Sequence, residues 1–319
     1  MNVIQYSESD AEQWDAFLSR TAQGAVLHSR RFLGYHAGRF KDVSLMVVNE
    51  SGQIRAILPA AESHDAAHCV ISHPGSTYGG LLYEPGCRAD EVMLMIDALM
   101  SWYQVHGYKL LVYKAVPHHI YRVDVECDLY ALWRRDARLL RRDLWNVLNL
   151  DRPRKLSKGH SWSYKKAVKL NMQVIKLDEN MFESFYAILV DSLAERHETK
   201  PVHTLGDLRE LARRLPAELE IWGCRAESGA MLAGVMLFRL HEDCWHTQYI
   251  AANKAGRELC ATDFLLEQLI RRAQEERVKQ FSFGSSTDQN GKNLNSGLFG
   301  FKAGFGAGSV TQDFYEVSL

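Results

Sequence analysis

The sequence predicts an α/β fold with mixed sheets, built as two copies of one domain. Three observations carry that expectation. Strand and helix patterns recur in the same order in both halves, about 170 residues apart. Glu-Ser-Gly stands at a hairpin position in each half, at 50–52 and 227–229. A length of 319 residues favours two domains over one or three. A single larger α/β fold is the alternative.

In the first half, residues 3–6 read as a strand and 10–19 as a helix with Trp14, Phe17 and Leu18 on one face. Residues 44–48 and 54–59 flank Glu50-Ser51-Gly52-Gln53, a hairpin signal. Further strands are expected near 70–71, 78–83 and 109–116, with a helix over 90–105. The second half repeats the order: strand 174–177, helix 178–194, and strands 220–226 and 231–240 around Glu227-Ser228-Gly229. Strand 244–251, helix 256–276 and strand 279–284 follow. The expected division is a domain over 1–150, a basic connecting segment over 151–171, and a second domain over 172–319 carrying the active site.

Composition narrows the classes. With 46% hydrophobic, 24% charged and 10% aromatic residues, the chain is neither disordered nor collagen-like nor a disulfide miniprotein. The net charge of −1 argues against coating a polyanion. That average hides a basic stretch: residues 134–169 hold twelve Lys or Arg against three Asp, a net of +9, so the remainder is about −10. Pro153 suits the first turn of a helix there. The stretch fits either a solvated helix face or a surface for a phosphate-rich ligand, such as a nucleotide sugar, CoA pyrophosphate or a tRNA acceptor arm. Six scattered cysteines without CxxC spacing support neither a zinc ribbon nor a disulfide framework, so no metal is expected. No apolar run approaches the ~20 residues that cross a bilayer. The N-terminus lacks a signal-peptide pattern, and a cytoplasmic location is expected.

The polar signals concentrate in the last third. In His246-Thr247-Gln248-Tyr249-Ile250, strand alternation places His246, Gln248 and Ile250 on one face and Thr247 and Tyr249 on the other. Asn253 to Glu258 opens a helix whose amides, with Gly256 and Arg257, could hold a phosphate. Seven of 22 glycines fall within residues 284–308, a loop whose Leu298, Phe301 and Phe305 indicate packing. Glu195-Arg196-His197-Glu198 and Pro201-Val202-His203-Thr204 add ionisable groups. HExxH, GxSxG, Walker and Rossmann patterns do not occur.

His246–Ala251, Phe281–Thr287, Gly297–Ala307, Ser72–Gly80 and Pro201–Thr204 together resemble the FemAB-like branch of the GNAT acyltransferases, over nearly the whole chain. The resemblance implies two tandem GNAT domains joined by a basic helical segment. It also implies transfer of acyl or aminoacyl groups to amines, in an envelope-polysaccharide setting. The implied co-substrate is acyl-CoA or aminoacyl-tRNA, with no permanently bound cofactor. The family's CoA loop reads [RQ]xxGx[GA], whereas this chain ends that stretch in Glu258, which would repel a phosphate. Lys302 matches the lysine associated with FemAB active sites.

The chemistry needs a base, donors for an oxyanion and an acid for the leaving group. The expected catalytic set is His246 and His203 as bases, helped by Glu195, with Lys302 as stabiliser and Tyr249 as acid. Gly256, Arg257, Ser285, Ser286 and Thr287 are expected at the donor, and Gln248, His197, Tyr78 and Lys114 at a small-molecule or nucleotide-linked acceptor. An N-acyltransferase acting on an amino-sugar or envelope precursor leads. An aminoacyl-tRNA-dependent transferase and a non-catalytic binding module are the alternatives.

Overall fold

The computed structural model describes every residue except Ala37, Glu198 and Thr199, with Arg196 and His197 described by backbone alone. In chain order the first half runs β1 (Asn2–Gln5), α1 (Ala11–Leu18), α2 (Arg30–Leu33), β2 (Leu45–Val48), β3 (Ile54–Leu58), β4 (Ala61–Glu62), β5 (Cys69–Ile71), β6 (Leu82–Tyr83), α3 (Ala89–Val105), β7 (Leu110–Lys114), α4 (Cys127–Arg134) and β8 (Arg138–Asn149). There follow α5 (Lys158–Val168), β9 (Gln173–Lys176), α6 (Phe182–His197), α7 (Leu205–Arg214), β10 (Leu219–Arg225), β11 (Met231–His241), β12 (Cys244–Ala252), α8 (Lys254–Glu258) and α9 (Ala261–Glu275). The chain closes with β13 (Gln280–Ser285), β14 (Thr287–Asp288), β15 (Asn293–Leu294), α10 (Ser296–Ala303) and β16 (Gly308–Ser318).

Two compact units result, each with the same plan. In the first, β1 pairs antiparallel with β2 and β2 with β3, while β5 runs parallel to β7 with α3 between them in sequence. In the second, β9 pairs antiparallel with β10 and β10 with β11, and β12 runs parallel to β13 with α9 between them. A parallel pair needs a long crossover, and a helix supplies it in both units. The core of the first unit packs Leu45, Val47, Ile96, Leu99 and Leu111. That of the second packs Val235, Leu237, Leu265, Leu269 and Phe281.

The units do not follow the linear division expected at 150 and 172. The first comprises Met1–Leu144, Thr287–Asn293 and Val310–Leu319; the second comprises Trp145–Ser286 and Leu294–Ser309. Sheet pairing is the reason. β16 returns to the first unit, where Phe314 to Ser318 pair with Lys114 to Leu110. The Asp313 carboxylate there receives Arg142 Nε and Nη2 at 2.6 and 2.7 Å.

Other differences have local causes. The basic stretch is a strand (β8) followed by a helix (α5), and Pro153 lies outside that helix. Ser157 caps α5, its Oγ accepting the His160 N–H at 3.2 Å. Five arginines of the stretch are neutralised by ion pairs: Arg135 with Asp97, Arg138 with Glu316, Arg141 with Asp143, Arg142 with Asp313 and Arg154 with Glu267. The helix expected over 256–276 breaks at Cys260, which adopts a left-handed φ of 59° between α8 and α9. The glycine-rich tail folds into α10, whose Asn295 cap accepts the Leu298 N–H at 2.9 Å. Only Leu82–Tyr83 of the strand expected over 78–83 forms.

In the second unit, Phe185 of α6 presses onto β11 at Gly234, where an added Cβ would lie 2.3 Å from the ring. Gly234→Ala should therefore cost about 1–3 kcal/mol by overpacking, measured by urea unfolding. An unchanged midpoint would show that the ring does not bear on the strand.

Candidate active site

The site is set by one irregularity in β12. Met236 pairs with Tyr249 and Leu237 with Thr247, so Gln248 is an extra residue, a β-bulge. The bulge resets the alternation expected from sequence. His246 pairs with Phe238 and Tyr249 with Met236, which puts His246 and Tyr249 on one face. Thr247 and Ile250, opposite Leu237 and Val235, share the other. The expected grouping of His246, Gln248 and Ile250 on one face is thus corrected.

A second irregularity opens the sheet. β12 and β13 pair only from Cys244–Gln280 to His246–Ser282, although both strands continue. Beyond that point lies a cavity of about 420 Å³. Leu189, Ile250, Ala252, Cys260, Leu298 and Phe301 supply its apolar wall, with Arg257, Asp263 and Asn295 among its polar residues. Main-chain groups no longer bonded to β13 can pair there with a ligand's amides.

Beside the parting sits a buried polar cluster. Lys302 is almost fully buried, and its Nζ donates to the Gly284 and Ser285 carbonyls at 3.1 and 2.5 Å. Burial brings its pKa down to about 7. His246 is equally buried, stacked on Trp145 at 5.4 Å between centroids. Burial, and then the Lys302 charge, push its pKa down to about 3. Ser282 Oγ accepts the Gly284 N–H at 3.3 Å and lies 3.2 Å from His246 Nδ1, an arrangement in which the hydroxyl donates to a neutral imidazole. Gly284 turns here at φ +73°, and a Cβ would come within 3.1 Å of His246 Cε1, so glycine is required. A group with pKa about 3 accepts protons poorly at neutral pH, which weighs against His246 as the base.

The remaining expected residues fall into separate groups. The Tyr249 hydroxyl is hydrogen-bonded to His203 Nδ1 at 2.8 Å, and burial holds the phenol above its ordinary pKa. Glu195 does not join them: it pairs with Arg257 Nη2 at 2.7 Å, while Arg257 Nη1 donates to the Ala252 carbonyl at 2.8 Å. The Gly256 N–H is taken by Asn253 Oδ1 at 2.8 Å, and a Cβ on Gly256 would lie 2.1 Å from the Leu232 carbonyl. Packing therefore accounts for that glycine without a phosphate. Ser286 Oγ donates to Asn146 Oδ1 at 2.7 Å, and Thr287 Oγ1 to Asp143 Oδ1 at 3.1 Å. The structure thus turns both hydroxyls inward. Gln248 is half-buried at the bulge, and the His197 side chain lies outside the described residues. Tyr78 and Lys114 belong to the first unit. Tyr78 is buried against His28, and Lys114 Nζ donates to the His73 and Ser76 carbonyls. Burial brings Lys114 to about 7 as well.

Sequence reasoning missed the wall residues Leu189, Cys260 and Asn295, and the bond between His160 and Asp263. Asn295 carried one usable signal, a capping residue three positions before Leu298.

Comparison with known proteins agrees with this architecture. The family model described as the GNAT acetyltransferase domain matches residues 156–292. No curated protein matches the chain. Among solved structures, FemX is similar with a TM-score of 0.71 and 11% identity, covering 98% of this chain and 97% of its own. The C-terminal domain of a putative lysylphosphatidylglycerol synthetase from Agrobacterium fabrum has a TM-score of 0.60 at 12% identity, covering 97% and 91%. A tandem GNAT protein from the clavulanic acid biosynthesis pathway has a TM-score of 0.55 at 12% identity, covering 99% and 98%. Residues 156–292 match the GNAT acetyltransferase domain and the chain has the tandem GNAT fold that FemX shares, which together support an acyltransferase.

Proposed function

We propose that the protein moves an acyl or aminoacyl group from an activated donor, acyl-CoA or a similar thioester, to an amine of an amino-sugar or cell-envelope precursor. One observation carries the reading: the cavity opened by the parting of β12 from β13, with Phe301 in its wall and buried Lys302 next in the chain. Its apolar lining suits an acyl group, and the freed main-chain groups of β12 suit the amides of a pantetheine arm. The envelope acceptor is supported by the printed name of the lysylphosphatidylglycerol synthetase neighbour. Among the described residues, no helix is long and apolar enough to cross a membrane.

In this reading the amine lone pair attacks the acyl carbon, a C–N bond forms and the carbonyl oxygen takes the negative charge. Collapse breaks the C–S bond, and the leaving thiolate takes up a proton equivalent to the one the amine loses. The Lys302 ammonium stabilises the oxyanion. His203 and Tyr249, already hydrogen-bonded, take the amine proton and supply the thiolate with one. His246 stays neutral and fixes Ser282, and the Glu195–Arg257 pair holds the cavity edge.

A second reading, with aminoacyl-tRNA as donor, is favoured by the outer face of α5. Lys158, Trp162 and Lys165 are exposed there at helical spacing, with Lys169 at the C-cap, and among the described residues the three lysines make no ion pair. Activity that requires charged tRNA and disappears on RNase treatment would select this donor over a thioester.

Lys302→Ala should lower turnover at least about tenfold, as should His203→Ala; wild-type rates in both would sink the site. A rate that depends on the ammonium declines as pH rises through the Lys302 pKa of about 7. That descending limb should vanish in Lys302→Ala, and its persistence would assign it to another group. An acyl-CoA at 100 times its dissociation constant should stabilise the fold by about 2.7 kcal/mol in a thermal-shift assay.

A further inference from the structure

We infer that His160 is a positioning residue, a clamp that fixes the last turn of α10, and with it Lys302 and the Phe301 wall of the cavity, against the start of α9. The inference rests on the role of Lys302 proposed above.

His160 lies on α5 with an acceptor at each ring nitrogen. Nδ1 bonds Asp263 Oδ1, in the first turn of α9, and Nε2 donates to the Phe301 carbonyl at 2.9 Å. That carbonyl is among the last four of α10, which have no partner within the helix. The ring thereby joins the C-terminal end of α10 to a carboxylate in the first turn of α9. The ring also lies on Phe305, centroids 4.2 Å apart, and edges onto Phe301 at 5.3 Å. The backbone agrees with this placement, since the Ser157 N–H donates to the Gly304 carbonyl at 2.8 Å.

Gly304 carries the imprint of the clamp. Its conformation is right-handed helical, φ −61°, so alanine is permitted there by the backbone. Yet an added Cβ would lie 2.1 Å from His160 Cδ2 and 2.4 Å from Nε2. The residue is small because the imidazole occupies the space.

This gives a test that does not depend on deleting the ring alone. His160→Ala and Gly304→Ala should each speed amide hydrogen exchange in α10. Each should also lower kcat about tenfold, with the acceptor KM little changed. In the His160→Ala background, Gly304→Ala should add little, because the atoms it would strike are gone. Should His160→Ala fail to fold, Gly304→Ala and His160→Gln carry the same exchange measurement; glutamine can donate to Phe301 but cannot bridge to Asp263. Unchanged exchange in α10, or strictly additive effects of the pair, would overturn the clamp. Full turnover in His160→Ala when Lys302→Ala is impaired would overturn the positioning role. If Lys302→Ala is itself fully active, the catalytic reading has failed instead, and the exchange data alone judge the clamp.

Discussion

The parting of β12 from β13 after the His246–Ser282 pair is the constraint on which the second unit is organised. Ile250, Ala251 and Ala252, past the last residue of β12 that pairs with β13, line the cavity. The bulge at Gln248 acts at the same place. It turns Tyr249 to the His246 face, where it reaches His203, and leaves Ile250 on the face that packs with Val235 and Leu237. Bulges commonly re-aim a side chain in this way, and they do so beside active sites.

The parting also creates an electrostatic problem that the fold resolves locally. The end of β13 leaves the Gly284 and Ser285 carbonyls turned inward, and the Lys302 ammonium satisfies both. Burying that ammonium lowers its pKa to about 7, so the same geometry that completes the backbone's hydrogen bonds yields a group poised near neutrality. His246 responds to the same surroundings in the same sense: burial lowers its pKa too, to about 3, so it remains neutral and serves as a hydrogen-bond partner of Ser282. Lys114 in the first unit is buried in a similar manner between two carbonyls, so a lysine of this kind is not by itself a mark of the active site.

The repeat was legible because it rests on periodicity. Strand and helix patterns survive divergence of the individual residues, and the two hairpins kept Glu-Ser-Gly. The tail was read only as a packed loop because Gly297 and Gly300 lower the helical signal of α10, whose stability comes from contacts distant in sequence. The basic stretch looked like a free positive surface because its arginines find their partners far along the chain. Arg138 meets Glu316, Arg142 meets Asp313, and Arg154 meets Glu267. Lys158 and Lys165 of α5 stay exposed and make no ion pair among the described residues. The bulge left no trace in the residue pattern: His246-Thr247-Gln248-Tyr249-Ile250 alternates plausibly in either register, and only the pairing with β11 decides. Lys302, His203 and Tyr249 were nominated from sequence. The pairing of Glu195 with Arg257 and the inward hydroxyls of Ser286 and Thr287 required the fold.

Hydrogen exchange with and without a saturating acyl-CoA reports whether the donor enters the opening between β12 and β13. Exchange should slow at residues 249–258, from the end of β12 through α8, and at 295–301, the cap and first turns of α10, which line the cavity. Slowing confined to other parts of the second unit, with these segments unchanged, would contradict donor entry there.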